Sequence, residues 1–173
     1  MANTYHIPKA GPLGLASLVI IVLVLLAMTG WMFDGRAENP AGVIFGMTIT
    51  FGVAVLFAWF LIQQNRSSLT VDGETLTLSV PWYGRTVALS EVLIDQVRVL
   101  ESHEDDWSLR WRTNGIGLPQ YQVGWFRTKG GHRVLAARTQ GPMILIPTTK
   151  GYSLVVSLSQ ALEFVEGLRN QSS

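Results

Sequence analysis

Two uncharged apolar runs near the start of the chain constrain it more than anything that follows. Leu13–Phe33 is 21 residues without a charge, and its middle, Leu18–Ala27, is wholly aliphatic. As a helix it would extend about 31 Å at about 1.5 Å per residue, close to the hydrocarbon thickness of a bilayer. Ala41–Ile62 is a second such run, of 22 residues. Between them Asp34-Gly35-Arg36-Ala37-Glu38-Asn39-Pro40 is polar and carries helix breakers, and so short a link joins only antiparallel neighbours. Trp31 and Trp59 near the ends of the runs suit interfacial belts. A secretory leader would have a shorter apolar core and a small-residue cleavage site. A pair of buried core helices would need more protein around them than this chain supplies. The pattern therefore predicts two transmembrane helices, 13–33 and 41–62, joined by a loop at 34–40 and preceded by a segment at 1–12.

Charge then gives an orientation. Lys9 and the amino terminus precede the first run, Arg66 follows the second, and Arg36 alone lies between them beside Asp34 and Glu38. The positive-inside rule predicts a multi-pass protein of the cell membrane with both termini in the cytoplasm. Gly42, Gly46, Thr50, Ala54 and Ala58 recur every fourth residue in the second run. Small residues at that spacing allow a second helix to approach closely. Packing on the neighbouring helix is the simpler use, and homo-oligomerisation through the membrane helices the alternative.

From residue 67 the period changes. Leu69–Asp72 and Thr75–Val80 alternate polar and apolar around Gly73-Glu74, which predicts two strands and a tight turn. Further short strands are predicted at Arg85–Leu89, within Val92–Leu100, and at Tyr121–Thr128, His132–Thr139, Met143–Pro147 and Tyr152–Val156. Their separators, at 129–131, 140–142 and 149–151, are rich in Gly, Pro, Lys and Thr. After Ser157-Leu-Ser-Gln160, a capping-box sequence, Leu158, Ala161, Leu162, Val165 and Leu168 follow helical spacing. The reading is an all-β barrel or sandwich of about seven strands over 67–170, closed by a C-terminal helix, with a tail at 171–173.

Composition excludes more than it assigns. Thirteen Lys and Arg balance twelve Asp and Glu, so the overall charge makes no case for nucleic acid. The absence of cysteine removes disulfides, thiolate metal sites and cysteine nucleophiles. No G-x-S-x-G, H-E-x-x-H or P-loop pattern occurs, and no nucleophile stands with a base, so neither catalysis nor a cofactor is expected. The acidic run Glu101-Ser102-His103-Glu104-Asp105-Asp106 lacks Ca²⁺-loop spacing and fits a solvated loop better than a metal site. The remaining candidates are aromatic and basic: Trp107, Arg110, Trp111, Arg112, Trp125, Arg127, Lys129 and Arg133, with Phe126 and His132 among them. Cations and Trp in alternation suit anionic lipid headgroups or a protein groove. Equally, the three Trp could fill the barrel while the Arg side chains keep its outside hydrated.

The stretch from Gly115 to Arg127 (GIGLPQYQVGWFR), then Gly130 to Ala136 (GGHRVLA), then Ile146 to Tyr152 (IPTTKGY), resembles bacterial pleckstrin-homology-like domain proteins. The likeness covers roughly Leu69–Arg169 and includes Phe164 in the final helix. It implies the fold of that family and a membrane-proximal binding or scaffolding role, without naming a ligand. The expected function is a membrane-anchored interaction module for a protein partner or an anionic lipid. The alternative is a small accessory subunit of a transporter or envelope complex, in which the helical hairpin makes the contact.

Overall fold

The computed structural model describes residues 3–9, 11–33, 40–64, 67–101 and 105–171. Among these described residues, ten strands form two sheets, and three α-helices accompany them. The first sheet is an antiparallel meander of β1 (Asn3–His6), β2 (Ser68–Asp72), β3 (Thr75–Ser79) and β4 (Arg85–Ala88). The alternation at 68–79 sends Leu69, Val71, Leu76 and Leu78 to one face, where all four are buried. The two-residue loop Gly73-Glu74 sets the register Asp72↔Thr75, and Gly73 takes the positive φ that such a turn needs. β1 carries no comparable pattern. It is a strand because β2 offers an open edge, and it pairs from Asn3↔Val71 to His6↔Ser68.

The second sheet has the order β5-β9-β10-β8-β7-β6, built from β5 (Arg98–Leu100), β6 (Leu109–Leu118), β7 (Tyr121–Thr128), β8 (Arg133–Arg138), β9 (Met143–Pro147) and β10 (Ser153–Ser157). The turn at 140–142 does not close a β8–β9 hairpin. β10 lies between the two and runs parallel to β8. Central placement follows from sequence chemistry: Leu154, Val155 and Val156 are consecutive and apolar, and all are buried, so this strand needs cover on both faces. Leu135, Ala137, Ile144, Ile146, Leu154 and Val156 point into the main core. Val134, Ala136, Leu145 and Val155 point the other way, into a smaller core with Leu100 and Phe126. Trp107 and Leu109 pack against that second core.

α3 (Ala161–Gln171) buries Ala161, Phe164, Val165 and Leu168 in the main core. Phe164 meets the Tyr5 ring edge-on at 5.1 Å, and Arg169 donates to the Val97 carbonyl at 3.1 Å. Two details of the sequence reading change here. Leu162 is exposed and Phe164 takes the core position instead. Ser157 ends β10, and its hydroxyl accepts from the Thr139 N–H rather than capping the helix.

The membrane reading is corrected. α1 (Pro12–Phe33) and α2 (Pro40–Gln64) are helical and in contact with each other. Among the described residues, however, no helix is long and apolar enough to cross a membrane. The transmembrane hairpin, the multi-pass cell-membrane location with cytoplasmic termini, the integral membrane partnership and oligomerisation through membrane helices all lose their support with it. The expected barrel of about seven strands is likewise replaced by sheets of four and six strands. The loop at 34–39 lies outside the described residues.

Candidate functional site

The predicted aromatic and basic residues do not form one surface. Trp111 pairs with Arg127 and Arg127 with Arg133 across β6, β7 and β8. Directly paired positions project to the same side of a sheet, so these three form one row. Trp125 stands on the same side two residues along β7. The Arg133 guanidinium lies 4.4 Å over its ring, and Tyr152 meets that ring edge-on at 5.1 Å. Arg127 also donates to the Gly131 carbonyl at 3.4 Å, which holds its head near the β7–β8 turn containing Lys129.

Trp107 and Arg112 belong to the opposite side. Arg112 pairs with Phe126, and Trp107 stacks on His132 with ring centres 4.5 Å apart, half-buried against the second core. Arg110 sits where the β6–β7 register slips, and its guanidinium is 5.8 Å from the Trp111 ring. Trp107 and Trp125 therefore do fill the protein. Trp111 does not: it is 64% exposed. It occupies an edge strand, since β6 is last in its sheet.

Bulges at Leu109/Trp111 and Arg112/Asn114 interrupt that edge. Past them, Gly115 opposes Gly124, and a Cβ on either would collide with the other strand's backbone. The glycines of the G-W-F stretch thus let β6 and β7 approach closely, a role that spacing alone did not reveal. The Tyr83 hydroxyl donates to Asn114 at 3.0 Å and ties the first sheet to this strand.

Two further features stand out, the first of which escaped the sequence reading. At the far end of β6–β8, a cleft of about 550 Å³ opens between the β6–β7 turn and the segment after β8, lined among others by Gln120, Gln122, Arg138, Thr139 and Gln140. Tyr121 lines it too, and burial pushes its phenol up to about 12. No short motif marks this cleft, because its polar residues come from two strand ends that meet only in the folded sheet. The second feature is apolar surface on α1 and α2: Trp31 is 78% exposed, Phe51 72%, with Ile44 and Phe45 also exposed. Gly42, Gly46, Thr50 and Ala54 lie on the shielded side of α2, and the Thr50 hydroxyl donates to the Gly46 carbonyl. Ala58 is in α2 with its side chain outside the described residues.

In the acidic run, residues 102–104 lie outside the described part. Among the described residues no group of three His, Asp or Glu could hold a metal ion. Comparison with protein-family models, with curated proteins and with solved structures finds no match to the chain.

Proposed function

We propose that this protein is a non-catalytic binding module whose recognition surface is the row Trp111–Arg127–Arg133, and that its partner is an acidic protein segment. One observation carries the reading: a Trp left 64% exposed on an edge strand, in register with two arginines on the neighbouring strands. Trp and Arg dominate the energetics of protein interfaces because they bury large areas and bring directional donors. An extended acidic segment laid along β6 would meet the Trp face, the guanidinium heads and the open strand edge together. The resemblance to pleckstrin-homology-like proteins agrees with a binding role and adds no ligand.

The test is binding of the full chain to a poly-glutamate peptide and, separately, to vesicles of phosphatidylserine and phosphatidylcholine. Salt-sensitive peptide binding that Trp111→Ala or the pair Arg127→Glu and Arg133→Glu abolishes is the expected result. Vesicle binding without peptide binding would transfer the same surface to anionic lipid. Binding of neither, or binding that these substitutions leave unchanged, would remove the reading.

A second reading rests on a different observation, the exposed apolar side chains of α1 and α2. Contiguous apolar surface marks an interaction site. In this reading the helices make the contact with a larger complex, and the sheets regulate it. Loss of a co-purifying complex in Phe45→Ser with Phe51→Ser, but not in Trp111→Ala, would favour it.

A further inference from the structure

We propose that the cleft at the far end of β6–β8 is a second, separate binding site, and that it takes a carboxylate. Its distinguishing property is an excess of donors around a single positive charge. Among the described residues, Arg138 is the one cation lining it, and no Asp or Glu lines it. The Arg138 guanidinium is oriented by Gln122, whose Oε1 accepts from Nη1 at 3.5 Å. That contact uses one of five guanidinium N–H groups and leaves the rest of the fork for a ligand.

The opposite wall is also built from side chains fixed in place. Gln140 donates to Gln120 at 3.0 Å. This pairing leaves one amide nitrogen and one amide oxygen for a third group. Gln120 holds a positive φ of 58°, a backbone state that costs a non-glycine residue energy. Gln120 and Gln140 both close over Gly11, where any side chain would collide with them. Thr139 is 8% exposed, and its Oγ1 has no hydrogen-bond partner among the described residues. That hydroxyl is closed to solvent, so the donors a ligand in the cleft can reach are those of Arg138 and of the Gln120 and Gln140 amides.

The charge count selects the ligand. A guanidinium and a carboxylate match in charge and in two-pronged geometry. A phosphate dianion would be left half neutralised by Arg138 alone. The volume of about 550 Å³ suits a small molecule or the last residues of a peptide. The carboxylate could belong to a free organic acid or to a chain terminus, and the same chemistry serves both. The site stands apart from the Trp111 row, because Arg138 and Arg133 lie at opposite ends of β8.

The experiment is titration of the ¹⁵N-labelled full chain at fixed ionic strength with acetate, with N-acetyl-Gly-Gly and with its C-terminal amide. Saturable shifts of the Thr139 and Gln140 backbone amides are expected with both acids and not with the amide. Affinity should fall at least about tenfold in Arg138→Gln, as for loss of one charge-assisted pair. It should stay the same in Arg127→Glu. Tighter binding of the dipeptide than of acetate would make a chain terminus the source, and equal binding a free acid. Absence of saturation, equal shifts with chloride, tighter binding of inorganic phosphate, or full affinity in Arg138→Gln would each overturn the proposal.

Discussion

The two ends of β6, β7 and β8 share three strands and present opposite chemistries. At one end a row of Trp111, Arg127 and Arg133 faces outward, with Trp111 largely exposed. At the other end Arg138 is held by Gln122, and Thr139 is buried in a cleft. The same residue type does different work at each end because its surroundings differ. Arg133 covers a half-buried Trp ring, whereas Arg138 lines a concave wall of amides. A cation on an exposed row is well hydrated and suits an extended partner. A cation in a cleft is partly dehydrated and suits a single small anion.

That contrast can be broken or sharpened by substitution, beginning with the largest effect. Leu154 is fully buried in β10, next to β8 and at the middle of the sheet that carries both ends. Leu154→Ala is expected to cost about 2–5 kcal/mol in chemical denaturation. Amide exchange should quicken at both ends together, and a response confined to one end would show that the two are supported independently.

Tyr121 separates the ends by pH. Its phenol, pushed up to about 12 by burial, stays protonated in the folded protein while the unfolded chain ionises above its ordinary value near 10. The raised value gives stability that is fully present below pH 10 and lost as pH rises from 10 to 12. The loss is on the order of 2–3 kcal/mol. Tyr121→Phe should flatten that alkaline leg in denaturation curves. An identical slope in the variant would show that the leg comes from other groups.

At the exposed end, Arg127→Glu with Arg133→Glu should weaken poly-glutamate binding by tenfold or more, about 1.4 kcal/mol, with little change in stability because both side chains are exposed. Smallest of all, Thr139→Val removes a buried hydroxyl that has no partner among the described residues. It should leave the melting midpoint unchanged or raise stability by up to about 1 kcal/mol. A clear loss of stability would mean that the hydroxyl is satisfied in the free protein.

Much of the local structure was legible in particular residues. Alternation at 68–79 marked β2 and β3, Gly73-Glu74 marked their turn, and Ala161, Val165 and Leu168 marked the buried stripe of α3. β1 was not legible, because Asn3–His6 has no pattern until β2 supplies a partner. Nor was β6, whose bulges at its Arg and Trp residues erase the two-residue period. The aromatic and basic residues could be singled out as candidates, but not their division between two sides of a sheet. Interleaving along the chain does not say how registers slip. The amide cleft left no motif at all, since Gln122 and Arg138 become neighbours only through the pairing of β7 with β8.

By itself the sequence determined the periods, the turns and which residues are apolar enough to need burial, because these depend on side chains within a few positions of one another. Tertiary structure decided that β10 enters between β8 and β9, that Trp111 stays outside while Trp107 and Trp125 are partly buried, and that Arg138 meets Gln122 at the mouth of a cleft. Those outcomes depend on contacts between residues far apart in the chain, where strand order and register, rather than local preference, set each side chain's surroundings.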